Sequence, residues 1–378
     1  MEIYSNNSKP LILAYYLPQF YPTDFNNKWY GKGFTEWTNV GKAKPLFKGH
    51  YQPKVPSELG YYDMRLPEVA EQQAELARIA GITGFAYWHY WFGNGRTMLE
   101  MPIQRTLASG KPDFPFCFAW ANESWYKKMW DDNGSKKLIC EQKYPGDEDI
   151  VAHFQYCLPA FKDKRYIYYK GKPVFMIYKP YDHPNVQHFI EMWNQMIRKE
   201  GLADGFCFVA TIYKTDQAQK MLEQGFDYVT YEAWSKLVSK LMYEDQNIVK
   251  KIKRIAVNRI LTPLFGHVKK LPYAKVNELI WRDGFDSRED VVPVLIPNFD
   301  HSPRSGKKNY IIFDSTPENW KKQVEIVLGG VEVKQNKLVM LRAWNEWGEG
   351  NYMEPDLKYG RGFVEVLGDY CRKIINIK

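Results

Sequence analysis

Eight short runs of apolar, β-branched or aromatic residues recur along the chain, and longer amphipathic stretches separate them. They are Leu11 to Tyr16, Thr83 to Trp88, Phe114 to Ala119, Pro173 to Tyr178, Phe206 to Thr211, Tyr228 to Tyr231, Val292 to Ile296 and Leu338 to Ala343. Runs this short and this continuously apolar read as strands buried on both faces, which is the habit of a parallel sheet covered by helices. The intervening segments carry helical signals. Pro67 can open a helix whose Ala70, Ala74 and Ala77 repeat at four and three. Val151, Phe154, Leu158 and Phe161 trace a second stripe, and Thr316-Pro317 reads as a cap and first turn ahead of Trp320, Val324, Val327 and Leu328. Eight strand-helix units predict an α/β fold of the (β/α)₈ barrel type, with 1–378 as one domain. A doubly wound open sheet competes, but no Gly-rich phosphate fingerprint follows any strand.

Two spacings exceed the repeat: 17–65 after the first strand and 232–290 after the sixth. Both predict long loops at the carboxyl end of the barrel, where barrel enzymes build their sites. The second is basic and helix-prone, with Lys250-Lys-Ile-Lys-Arg254 and Lys269-Lys270. Two readings stay open for it: a solvated helix face, or a surface for peripheral contact with an anionic membrane or glycan. The formal charge of +8 is otherwise spread along the chain without a nucleic-acid motif, so no nucleic-acid partner is expected.

Five cysteines, odd in number and without CxxC spacing, predict buried free thiols in a reducing compartment. With neither a secretory-type apolar segment at the N-terminus nor a long apolar run, the expectation is a cytoplasmic protein. Neither zinc-ligand spacing, an EF-hand loop nor a P-loop is present, so no metal or cofactor is expected.

Aromatic residues make up 16% of the chain, with 13 Trp and 27 Tyr. Flat rings with a polar tip suit stacking on sugars, although a large aromatic core would need them too. They gather with polar groups where the strands end: Tyr15-Tyr-Leu-Pro-Gln19, Tyr87-Trp-His-Tyr-Trp91, Trp120-Ala-Asn-Glu-Ser-Trp125, Tyr231-Glu232, Asn298-Phe-Asp-His301 with Arg304, and Trp344-Asn-Glu-Trp-Gly-Glu349. The candidate glycan-binding residues are therefore Tyr15, Tyr16, Gln19, Trp37, Trp88, His89, Trp120, Asn122, Tyr231, Asn298, Asp300, His301, Arg304, Trp344, Asn345 and Trp347. His89, amid aromatics, equally suits a packed imidazole. Glycosyl transfer needs two carboxyl groups at the anomeric centre, and Glu346 and Glu349 supply a pair just after the last strand. Mutual repulsion would raise one of their pKa values and keep it as the acid. Gly348 and Gly350 are expected to give the backbone freedom to turn both side chains inward. Glu123, after Asn122, is the rival partner for Glu346.

Asn345-Glu-Trp-Gly-Glu-Gly350, together with Leu13-Ala-Tyr-Tyr-Leu-Pro-Gln-Phe-Tyr21, Gly33-Phe-Thr-Glu-Trp37 and Trp120-Ala-Asn-Glu123, resembles the WbsX family of bacterial polysaccharide loci. That family is similar to glycoside hydrolase family 99, retaining endo-α-mannosidases and mannanases on a (β/α)₈ barrel, whose motif is Asn-Glu-Trp-His-Glu-Gly. The resemblance implies that Glu346 is a base taking the proton of the sugar 2-hydroxyl, whose oxygen then attacks the anomeric carbon. It implies that Glu349 is the acid protonating the leaving oxygen. Gly348 departs from the family 99 motif, which has His there.

The expected function is a glycoside hydrolase acting on a mannose-like or other bacterial oligosaccharide or polysaccharide. The alternatives are a WbsX-type glycosyltransferase of capsule or O-antigen assembly, and a glycan-binding barrel without activity.

Overall fold

A computed structural model describes residues 9–129, 135–232, 268–308 and 310–376. The parallel strands are β1 (Leu11–Tyr16), β2 (Gly84–Trp91), β3 (Phe116–Trp120), β4 (Lys172–Ile177), β5 (Cys207–Ile212), β6 (Tyr228–Tyr231), β7 (Val291–Val292 continued by Val294–Leu295) and β8 (Leu338–Leu341). Each pairs in parallel with its sequence neighbours, and β1 pairs with β8 through Leu11 opposite Leu338. The ring closes through β7, whose first half bonds to β6 and whose second half bonds to β8. Pro293 divides the halves because it has no N–H for the ladder, while its carbonyl still accepts from Met340 N at 2.9 Å.

The strands are buried along nearly their whole length, as the apolar runs predict. Outside them lie α1 (Pro67–Ile79), α2 (Met101–Ser109), α3 (Asp147–Phe161), α4 (Val186–Lys199), α5 (Ala218–Glu223), α6 (Tyr273–Leu279), α7 (Pro317–Glu332) and α8 (Gly362–Asn376). Helix α7 begins as expected, with the Thr316 hydroxyl accepting from Asn319 N at 3.3 Å and with Trp320, Val324, Val327 and Leu328 fully buried. The α3 stripe holds at Phe154, Leu158 and Phe161, while Ile150 takes the place expected of Val151. Val151 is 40% exposed, and the buried face runs through Ile150, His153, Phe154, Cys157, Leu158 and Phe161. His153 and Cys157, polar by type, mask that face in the sequence.

All five cysteines are free, four of them buried. Among the described residues no helix is long and apolar enough to cross a membrane. Most of the basic stretch after β6, 233–267, lies outside the described residues. Its described end forms a short strand, Lys269–Pro272, parallel to Tyr310–Phe313.

Candidate active site

Strand periodicity decides which candidates meet. Side chains alternate between barrel interior and helix layer, so neighbouring residues in a strand point apart. On β1 and β2 the rings of Tyr15 and Trp88 stack at 4.4 Å inside the barrel. Tyr16 turns outward and donates its hydroxyl to Gln73 on α1 at 2.6 Å. His89 turns outward as well; its Nε2 lies 2.8 Å from Nε2 of His153 on α3. Trp120 follows it, giving its indole N–H to the Trp91 carbonyl at 3.0 Å and packing on His153 and Phe189. Tyr231 packs beneath Arg282, just beyond α6. Tyr16, His89, Trp120 and Tyr231 therefore belong to the layer between barrel and helices, correcting their expected place in a glycan cleft.

Several other candidates hold loops in place. Asn345 accepts from Leu17 N at 2.7 Å and donates back to Leu17 O at 3.0 Å, tying the ends of β8 and β1 together. Asn122 does the same between β3 and β4, through Lys179 N at 2.7 Å and Lys179 O at 2.8 Å. Asn298 clamps Tyr352. Trp347 is fully buried, stacked on Tyr352 at 3.8 Å and donating to Glu354 at 2.6 Å; Trp344 is equally buried against Phe85. Trp37 gives its N–H to Tyr62 O and packs on Trp347, and Gln19 is buried at the start of the same loop. Asp300 accepts from His50 at 2.7 Å and Gln52 at 2.6 Å. Burial alone would raise Asp300, but His50 and Lys54 more than offset this and hold it below the usual carboxylate range.

What remains at the mouth is a charged cluster centred on the two expected glutamates. Arg304 reaches both: Nη1 lies 2.5 Å from Glu349 Oε1 and Nη2 lies 3.8 Å from Glu346 Oε2. Its Nε donates to Glu36 Oε1 at 2.8 Å. Glu346 Oε1 accepts from the Trp88 indole at 2.8 Å, and His301 Nε2 stands 3.5 Å from Glu349. Burial and then the charge of Glu349 push Glu346 well above the usual range, with Arg304 and the Trp88 N–H offsetting only part. Burial acts in the same direction on Glu349, but Arg304 and then His301 hold it below that range. The two shifts run in opposite directions, so the surroundings favour the proton of the pair on Glu346 and the charge on Glu349. This is the reverse of the resting distribution that the family 99 roles would suggest.

Gly348 explains itself in the same place. A Cβ there would fall 1.5 Å from Glu36 Oε1 and 3.0 Å from Arg304 Nε, so the Glu36–Arg304 pair occupies the space of a side chain. Its requirement is room rather than a special backbone angle. Gly350 does need one, with φ at 52°.

Sequence reasoning passed over Glu36, Tyr90, Tyr178, Glu232 and Arg342. Arg342 Nη2 pairs with Glu232 at 2.6 Å, and the Tyr178 hydroxyl donates to the same carboxylate at 3.3 Å. Burial raises the Glu232 pKa against the pull of Arg342. Tyr90 shares Trp88's face of β2; burial, helped by the charge of Glu346, raises its pKa. Strand parity would have selected Glu232 over Tyr231 and added Tyr90. Glu36 stands inside the quoted Gly33-Phe-Thr-Glu-Trp37 segment, yet nothing in its spacing points to Arg304. Glu123 also opens on this face; its side chain is 31% exposed and lies 3.7 Å from Lys179 Nζ.

The family model described as "Glycosyltransferase WbsX" matches residues 12–367. Two strains of Xanthomonas campestris pv. campestris carry a protein described as "Uncharacterized protein WxcX", each 30% identical over 367 residues, covering 94% of this chain. The chain spans about half the length of these curated relatives, 48%. A solved "Glycoside hydrolase-like protein" superposes with a TM-score of 0.59 at 15% identity, covering 98% of this chain and 96% of its own. The GH99 endo-alpha-mannosidase from Bacteroides thetaiotaomicron, in complex with BIS-TRIS-Propane, gives 0.57 at 12% identity, covering 97% and 99%. Those two likenesses establish a shared barrel fold, and with the match along nearly the whole sequence, the chain belongs to the WbsX family.

Proposed function

We propose that this barrel is a retaining glycoside hydrolase acting on a mannose-like or other bacterial glycan, with Glu346 and Glu349 as its carboxylate pair. One observation carries the reading: two adjacent carboxyl groups on the barrel mouth, bridged by Arg304, are pushed in opposite directions, Glu346 up and Glu349 down. Pairs of titratable groups driven apart in this way are the mark of an acid working beside a base.

In the scheme the resemblance implies, the 2-hydroxyl gives its proton to Glu346 and its oxygen bonds to the anomeric carbon. The glycosidic bond breaks, and the leaving oxygen takes a proton from Glu349. Water, deprotonated by Glu349, then opens the 1,2-anhydro sugar, and the 2-oxygen recovers the proton from Glu346. For these roles to operate, substrate must displace Arg304 from Glu349 and let the proton pass across the pair. With Arg304 left in place, Glu346 is the acid. The two assignments separate on an aryl glycoside with a good leaving group, which needs no protonation: the variant of the true acid retains a first-turnover burst of released aryl group, and the variant of the base does not.

The hydrolase reading is tested by incubating the protein with a panel of bacterial polysaccharides and oligosaccharides and measuring new reducing ends. Cleavage lost in Glu346→Gln and Glu349→Gln supports it, whereas binding without cleavage throughout the panel favours a non-catalytic glycan-binding barrel.

A second reading, glycosyl transfer, is favoured by the description of the family itself. Its test is saturation-transfer NMR with nucleotide sugars. Binding followed by transfer to an acceptor, with no hydrolysis, would replace the first reading.

A further inference from the structure

Beside the carboxylates, rather than over them, lies a cavity of about 390 Å³, within the roughly 300–1,000 Å³ of small-molecule sites. Asn298, Asp300 and Tyr352 form part of its lining, and the partition from the catalytic loop is thin. Tyr352 is stacked on Trp347, and a Cβ on Gly350 would fall 2.9 Å from the Asp300 backbone.

Four lysines converge on this cavity from three separate segments: Lys48, Lys54, Lys270 and Lys358. Lys54 is only 8% exposed, with its Nζ 3.3 Å from the Gly350 carbonyl and 5.0 Å from the Tyr352 ring centre. Lys270 lies 4.4 Å over Phe47, and Lys358 lies 4.8 Å over Tyr359 and 5.0 Å over Tyr51. Among the described residues, none of the four has a carboxylate within ion-pairing distance.

The acids in the lining are mostly engaged elsewhere. Asp300 is held by His50 and Gln52, and Asp356 by the Tyr352 hydroxyl and the amides of Lys358 and Tyr359. Asp314 stands exposed at the rim. Asp300 and Asp356 offset part of the Lys54 charge, but the four lysines outnumber the three aspartates of the lining, and that excess favours an anion. Tyr51 and Tyr359 add rings with polar tips to the lining, which suit a sugar. A neutral sugar would leave the excess of lysines unmatched, and a bare inorganic anion would leave the rings unused.

We infer that this cavity is a subsite for an acidic sugar residue, one bearing a carboxylate or phosphate, with its anionic group toward Lys54, Lys270 and Lys358 and its ring toward the Tyr51 and Tyr359 side of the lining. The inference rests on the reading that the ligand is a glycan, and it adds that the glycan is charged.

Calorimetry on the full chain carrying Glu349→Gln, which blocks turnover, tests it with three probes: a glucuronate-containing oligosaccharide, a neutral oligosaccharide of equal length, and inorganic phosphate. The acidic oligosaccharide should bind at least about tenfold tighter than either of the others and weaken as salt rises. Lys270→Ala with Lys358→Ala should cost about tenfold. These exposed positions keep the test open where Lys54→Met fails to fold, and thermal melting checks the fold of each variant. Equal affinity for the neutral sugar, or no loss in the double lysine variant, overturns the subsite. Phosphate binding as tightly as the acidic oligosaccharide reduces it to an ion site and overturns it too. Absence of hydrolysis with charge-selective binding retained would remove the hydrolase reading alone, whereas cleavage of glycans without charge selectivity would remove this inference alone.

Discussion

The dipeptide Asn-Glu occurs at two strand ends on this barrel mouth, after β3 and after β8, and the two copies share one half of their behaviour. In both, the asparagine bridges its loop to the next strand's backbone: Asn122 to Lys179 and Asn345 to Leu17. The glutamates differ. Glu123 is 31% exposed near a single lysine at 3.7 Å, whereas the Glu346 side chain is 11% exposed, bonded to Trp88, and shares Arg304 with a second carboxylate. The same local sequence therefore gives a half-buried ion pair in one place and a carboxylate pair bridged by arginine in the other. Environment, not the dipeptide, assigns the chemistry.

The widest separation should come from removing the carboxylates themselves. Glu346→Gln and Glu349→Gln should each lower turnover of the natural glycan by about 10³-fold or more, in keeping with general acid–base contributions of roughly 10²–10⁴. Glu123→Gln should cost less than about tenfold; a loss as large as that of Glu349→Gln would reinstate Glu123 as the partner of Glu346. Charge comes next. Arg304→Met should reduce kcat/KM by about 10²-fold because it releases three carboxylates at once, while Lys179→Met should change it by only a few fold; parity between them would erase the distinction.

Gly348→Ala should be felt locally, since its methyl meets Glu36 and Arg304; a cost of about 1–3 kcal/mol is expected for overpacking, read by denaturant unfolding. A variant as stable as the parent would mean that the pair moves aside freely.

The smallest contrast is in pH dependence. Glu346 has a folded pKa raised above its unfolded value of about 4.3, so its contribution to stability is complete below that value and is lost as pH rises through the folded pKa. Glu346→Gln should accordingly gain melting temperature over the parent at alkaline pH, with the gap closing toward pH 4. Glu123→Gln, whose carboxyl is raised by burial but opposed by Lys179, should show a weaker form of this effect.

Much of the architecture was legible because each strand is a compact apolar run and the runs repeat. Pro293, which splits β7, was visible within its run, but its effect on closure depends on which neighbour each half meets. At the site, Glu346, Glu349, Arg304 and His301 were legible from their place after strands. Only half of the aromatic candidates face the site, because clusters such as Tyr15-Tyr16 and Trp88-His89 straddle the strand, whose alternate residues face opposite layers. Glu36 was illegible as a partner of Arg304, since 268 residues separate them and only the fold brings them to 2.8 Å.

The most direct test of the account is a crystal structure of the Glu346→Gln/Glu349→Gln protein with an oligosaccharide that the parent cleaves. The account predicts the anomeric carbon of the scissile sugar between residues 346 and 349, with Arg304 drawn away from residue 349. A sugar whose scissile bond instead lies between residues 123 and 346 would contradict it.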